Sequence, residues 1–169
     1  TYNNNLTQDL LYGLATNRDC ASKKTVSIWM VHALAKVRII LDESLGDIGQ
    51  VTVSGYKTGH FSPINNGVPA WEIDNVNTHI YADFRKYEGK VDEELKNNNS
   101  VTVFILPDKI TGLKMWNSVE QEIDASEEIK KHTFLAGKVY NLTISKSNGV
   151  RKKNTNSRSI AMSVRCVSE

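Results

Sequence analysis

Apolar and polar residues alternate along Thr25 to Leu41, and the other elements of the chain are read around that stretch. From Trp29 onward every odd position is apolar (Trp29, Val31, Ala33, Ala35, Val37, Ile39, Leu41), while His32, Lys36 and Arg38 fall on the even side. That period of two predicts a strand with one buried face. Before Trp29 the apolar positions are even (Val26, Ile28, Met30), so the register slips near Trp29 to Val31 and predicts a bulge or bend there. A helix over His32 to Ile40 is the competing reading. The β-branched residues after Val37 and the absence of a capping residue before the run favour the strand.

Ahead of this strand, Thr1 to Asn5 is polar and reads as loose. Leu6 to Leu14 fits one or two helical turns or a short strand ending at Gly13, and Ala15 to Lys24 reads as a loop. After it, Asp42 to Gly49 reads as a turn and Gln50 to Ser54 alternates until Gly55, with antiparallel pairing to the preceding strand the simplest topology. Tyr56 to Pro69 reads as turn and loop. Trp71 with Ile73, and Ile80 with Ala82 and Phe84, mark two half-buried strands, and Lys86 to Ser100 is a charged surface excursion. Ser100 to Pro107 is a nearly continuous apolar run, terminated by Pro107, and predicts a strand in the middle of a sheet covered on both faces. Leu113 to Trp116 adds a short strand. Glu120 to Lys131 forms a brief helix through Ile123 and Ile129 or a turn at Asp124 to Ser126. Val139 to Ser145 and Ile160 to Cys166 are closing strands with a turn at Ser147 to Gly149.

Eight or nine short strands broken by Gly, Pro and Asn, with little helix and no internal repeat, predict an all-β antiparallel sandwich. A chain of 169 residues, 40% hydrophobic, buries one core. The expected organisation is an arm and loop over residues 1–24 and a single domain over 25–169.

Lys and Arg number 21 against 19 for Asp and Glu, and a net charge of +2 gives no field to draw the chain onto nucleic acid. The run Arg151-Lys152-Lys153, followed by Asn and Thr, reads as a solvated hairpin tip. Cys20 and Cys166 lie near opposite ends and form neither a metal nor a redox motif; both a pairing on export and two separate thiols stay open. No apolar run reaches membrane-spanning length.

His32, His60, His79 and His132 are scattered without a metal-ligand spacing, and no Gly-x-Ser-x-Gly or phosphate-binding glycine loop occurs. The acidic runs Asp92 to Glu94 and Glu120 to Glu122 read as solvated faces. Trp71, Trp116 and Tyr56 are the candidates for a sugar-stacking platform, although tryptophans on alternating strands are commonly core. No residue is assigned to catalysis, a cofactor or a metal, and the expectation is a protein that is not an enzyme.

Several ordered pieces carry a resemblance. Asp9-Leu10-Leu11-Tyr12 resembles the Asp-Leu-Leu-aromatic segment of the fimbrillin family of Bacteroidales surface proteins, and His32-Ala33-Leu34-Ala35-Lys36-Val37 resembles its His-Ala-Leu-Ala/Ser-Lys-aliphatic signature. Val51 to Gly55, Ile105-Leu106-Pro107 and Leu135 to Ile144, with Gly137 and Tyr140, are similar to its later strands. Together they span about four fifths of the chain in the family's order. Family members carry a lipoprotein cysteine and further strands ahead of Asp-Leu-Leu; neither is seen here, which reads as a fragment, a processed form or a short relative. Asp108 stands where glutamine is common after the proline, and Ser163 to Val167 is similar to the end of other Bacteroidetes surface modules. The resemblance implies a transthyretin-like sandwich, exported to the cell surface, outer membrane or fimbrium. It implies a structural or adhesive subunit that joins other fimbrial subunits or its own copies by strand addition and meets a host or surface glycan or protein. The runner-up is a secreted carbohydrate-binding module of similar form.

Overall fold

Alternation buries one face of each strand, and in the computed structural model of the chain those faces close on one another as an all-β sandwich. The structure describes residues 1–13, 25–62, 70–74, 79–146, 149–157 and 159–165, with side chains described except at 25–27, 29 and beyond 146. In order, the strands are β1 (Tyr2–Asn3), β2 (Leu11–Gly13), β3 (Thr25–His32), β4 (Ala35–Leu41), β5 (Ile48–Tyr56), β6 (Thr58–Ser62) and β7 (Ala70–Ile73). They continue as β8 (His79–Arg85), β9 (Ser100–Ile105), β10 (Ile110–Asn117), β11 (Glu122–Asp124), β12 (Lys138–Ser145), β13 (Gly149–Ser157) and β14 (Ser159–Arg165). Two short helices, α1 (Glu93–Asn98) and α2 (Ser126–Ile129), interrupt them.

Four-stranded sheets β13-β12-β4-β9 and β11-β10-β5-β8 form the two layers, and three-stranded sheets β14-β3-β2 and β1-β6-β7 flank them. From the first layer Val37, Ile39, Val103, Ile105 and Leu142 point inward, and from the second Val51, Val53, Phe84, Leu113 and Met115 meet them; all are buried. β4 is an inner strand, antiparallel to β9 and parallel to β12, and the β4–β12 pair is the parallel one among the described strand pairs.

The strand expected over Thr25 to Leu41 is present but broken. β3 and β4 belong to different sheets, and the break falls at Ala33–Leu34, a few residues past the register slip. β5 does not pair with β4. The connection, a short 3-10 turn at Glu43–Leu45 capped by the Asp42 carboxylate accepting the Ser44 N–H at 2.9 Å, carries the chain across to the opposite sheet. Both strands then present their apolar faces to one core, which buries more than a hairpin with one shared face.

Other expectations are corrected similarly. β9 is an edge strand rather than a central one: its apolar positions alternate into the core, and Thr102 and Phe104 are half-buried. Thr58–Ser62, read as loop, is a strand because Gly59 lets the Trp71 ring close over it; a Cβ there would stand 3.1 Å from the ring. The excursion after Lys86 contains α1, started by the Asp92 carboxylate accepting the Leu95 N–H at 2.8 Å. Arg151 to Lys153 lie within β13, paired to β12, not at a hairpin tip. Glu120 to Lys131, read as a brief helix through Ile123 and Ile129 or a turn at Asp124 to Ser126, is instead the short strand β11, which carries Ile123, followed by α2, which carries Ile129.

The polar start of the chain is built in. Tyr2–Asn3 pairs with β6, and the Asn4 N–H donates to the Lys57 carbonyl at 2.7 Å. The Asn4 side chain, 2% exposed, accepts the Leu6 N–H at 3.1 Å and holds Leu6 at φ 63°, fully buried. Leu6 fills space that Gly55 leaves: a Cβ at Gly55 would stand 2.9 Å from Leu6 Cδ2.

Candidate functional site

The residues that carry the family resemblance are scattered from position 9 to 140, yet the fold gathers most of them at the Ala33–Leu34 break. His32, at the end of β3, pairs through Nδ1 with the Asp9 carboxylate, and the two side chains are 11% and 20% exposed. Asp9 also accepts the Leu10 N–H at 2.9 Å, while the Leu10 carbonyl accepts the Ala33 N–H at 2.8 Å. Leu11 is opposite His32 in the β2–β3 pair. The Leu34 carbonyl accepts the Gly137 N–H at 3.0 Å. Gly137 sits at φ 66°, and a Cβ there would lie 3.1 Å from the His32 carbonyl oxygen. Both the left-handed backbone and the close approach call for glycine. Tyr140, buried on β12, accepts the Leu135 N–H at 3.0 Å and meets Phe134 edge-on at 5.1 Å.

Ala33 and Leu34 themselves are fully buried. Lys36 lies one residue into β4 between Phe104 and Val139 of the neighbouring strands, and Pro107 ends β9 ahead of the Asp108–Phe134 bridge. The cluster is therefore a clamp. It fixes where one ribbon leaves the flanking sheet and enters the main one, using groups that satisfy each other rather than groups set out toward a ligand.

The three candidate stacking residues are not brought together. Trp71 closes the same junction: its indole N–H donates to the Ala33 carbonyl at 2.7 Å, and its ring packs with Phe61 at 5.2 Å and Tyr2 at 6.1 Å. Tyr56 stacks on His79 at 5.8 Å. Trp116 lies opposite Gln50, six residues along β5 from Tyr56 or about 20 Å at strand rise. No common platform forms.

Of the other histidines, His60 Nε2 stands 3.1 Å from Asp74 Oδ1 at the surface. Among the described residues no group of three His, Cys, Asp or Glu stands together, and no helix is long and apolar enough to cross a membrane. Cys20 and Cys166 lie outside the described residues.

The open feature beside the clamp is the edge of β9. Its partner β4 lies on one side, and no described strand lies on the other. The Phe104 N–H points outward and donates to the Leu6 carbonyl at 2.9 Å. Antiparallel pairing alternates, so Thr102, of the same parity, also turns its main-chain N–H and C=O outward. Behind this edge α1 is pinned by Glu94, whose Oε1 accepts from Arg38 Nε at 3.0 Å, Ser100 Oγ at 3.0 Å and Thr102 Oγ1 at 3.1 Å. Sequence reasoning missed Leu6, Thr102 and Glu94. Gly55 within a strand was the available signal for a close approach.

No protein-family model and no curated protein sequence matches the chain. Among solved structures it is similar to a proposed cell adhesion protein of Bacteroides uniformis at 13% identity and TM-score 0.44, covering 87% of this chain and 70% of that one. It is similar also to a proposed cell adhesion protein of Bacteroides ovatus at 10% identity and TM-score 0.45, over 95% of this chain and 61% of that one. A third is the tip fimbrial protein Mfa3 of Porphyromonas gingivalis with a C-terminal truncation, at 10% identity and TM-score 0.32, over 75% of this chain and 51% of that one.

Proposed function

We propose that the chain is a non-enzymatic structural or adhesive subunit of a bacterial cell surface or fimbrium, of fimbrillin-like build, that joins its neighbours by strand addition. The observation that supports this most is the edge of β9: Thr102 turns its main-chain N–H and C=O outward beside an apolar interior, and Leu6 covers the end of the edge at Phe104. Such an edge is either shielded or used, and an extended segment laid along it gains ladder hydrogen bonds while its alternate side chains enter the core. The clamp at Ala33–Leu34 supports the same reading from the sequence side, because the residues shared with the fimbrillin motif hold the sheet that presents this edge.

Proline at position 102 tests it. An outward N–H is the one a proline can replace in an edge strand without breaking the intramolecular ladder. Thr102→Pro is expected to stay folded by circular dichroism and to abolish concentration-dependent association measured by light scattering. Thr102→Val, which keeps the N–H and loses the hydroxyl bond to Glu94, is expected to associate like the parent. Equal association by Thr102→Pro, or a parent chain that is monomeric throughout, would refute the proposal.

A further inference from the structure

Away from the clamp, a cleft of about 160 Å³ opens near the outer face of the second layer, with Tyr87 and Trp116 among its lining residues. Two segments build it, the chain after β8 and the turn after β10, and Asp47 ties both. Its carboxylate accepts the Tyr87 hydroxyl at 2.6 Å and Lys86 Nζ at 2.7 Å, and its carbonyl accepts the Ser118 N–H at 2.9 Å. Those hydrogen bonds hold the Asp47 carboxyl below its ordinary range, and the Tyr87 phenol is raised by the same contact. On the other side the Asn117 amide oxygen accepts the Val119 N–H at 3.2 Å and the Gln121 N–H at 2.9 Å, fixing Glu120 at φ 59°. Gly49 lies between them without a side chain; a Cβ there would reach the Tyr87 ring at 3.7 Å.

The lining groups divide cleanly. Arg85 Nε and the Gln50 amide are held by Asp83 at 2.9 and 2.8 Å. Among the described residues, the Trp116 indole N–H and the Glu88 and Glu120 carboxylates have no hydrogen-bond partner. An indole donor, two acceptors and two aromatic rings around a floor without a side chain match the apolar face and vicinal hydroxyls of a sugar ring. Unpaired carboxylates repel an anion. A cation would meet Lys86, already 5.5 Å from the Tyr87 ring centroid.

We propose that this cleft binds one neutral hexopyranose unit of a glycan. The inference goes beyond the assembly reading and does not rest on it, since binding is read on the dispersed chain. The test is a nitrogen-15 chemical-shift titration with the methyl glycosides of glucose, galactose, mannose and N-acetylglucosamine, with methylammonium chloride as the cationic probe. At least one glycoside is expected to shift the amides of Gly49, Gln50, Tyr87 and Ser118 saturably. Trp116→Ala and Glu120→Gln are each expected to weaken that response about tenfold. The Gly137 and Leu142 amides report that each variant is folded. Four results overturn the proposal: no glycoside moves these amides, methylammonium alone moves them, the response survives undiminished in both variants, or methanol is released and the cleft is a hydrolase site.

Discussion

Replacing Leu6 with alanine removes the side chain that seals the sandwich between β5 and β9, and the cost can be worked from its surroundings. Leu6 is fully buried, and alanine would occupy the same left-handed backbone, so backbone strain cancels and the loss is burial plus cavity. Buried leucine-to-alanine changes cost about 2–5 kcal/mol, so about 3 kcal/mol is expected. In a chain of this length that lowers Tm by about 6–12 °C. Gly55→Ala is the partner substitution. Its methyl would stand 2.9 Å from Leu6 Cδ2 and 3.9 Å from Ile105 Cγ2. Overpacking of about 1–3 kcal/mol is offset by about 0.5–1 kcal/mol from replacing glycine inside a strand, leaving a net loss of about 1 kcal/mol. In the Leu6→Ala background the same methyl enters the cavity, so the double variant is expected to be about 1–2 kcal/mol more stable than additivity allows. Urea unfolding followed by tryptophan fluorescence measures all four proteins. A Leu6→Ala cost under about 1 kcal/mol, or additivity within about 0.5 kcal/mol, would refute the packing described here.

Three further outcomes follow from the clamp, α1 and the surface carboxylates. Gly137→Ala is expected to destabilise by about 2 kcal/mol in thermal melts, through its positive φ and the His32 carbonyl 3.1 Å away, and by more than Gly46→Ala, whose φ of 80° carries no contact within 4 Å. Glu94→Ala removes the acceptor of the Thr102 hydroxyl and of the hydroxyl on fully buried Ser100, and one of the two acceptors of Arg38 Nε. Because Glu94 and Arg38 are 30% and 41% exposed, solvent screening limits the expected loss to about 1–2 kcal/mol in urea unfolding, with Glu94→Gln losing less. Burial raises the Asp83 carboxyl, but hydrogen bonds from Arg85, Gln50 and Thr52 outweigh it, and those from Lys86 and Tyr87 lower Asp47. Both folded values lie below the unfolded one, so their contribution is complete above about pH 4 and is lost as pH falls below it; Asp83→Asn is expected to flatten the acid limb of stability measured against pH.

Alternation made the buried faces legible, and it located β4, β5, β8 and β12 with their inward residues. It is silent on partners. β4 and β5 have compatible patterns whether they lie side by side or face to face; the fold has the second arrangement, with Leu45 of the connecting turn buried in the shared core. The run before Pro107 looked central because Phe104 is apolar, yet that residue is half-buried on an edge strand whose outer face is partly covered by α1. Composition hid β6, since glycine and serine, turn formers elsewhere, are there because an aromatic ring closes over Gly59. The helix α1 is too short to show a period, although Asp92 before Glu93 and Glu94 was a readable start. Of the clamp, the sequence motif named the residues but not their meeting, because Asp9 and His32 are 23 positions apart and come together through the β2–β3 pairing.

Residue-resolved hydrogen exchange at Thr102 tests the central claim most directly, in dispersed chains and in assembled material. The account predicts that the Thr102 amide exchanges rapidly in the dispersed protein while those of Val101 and Val103, directed at β4, are protected, and that Thr102 becomes as slow as they are on assembly. A Thr102 amide already protected in the dispersed chain, or still rapid in the assembly, would contradict it.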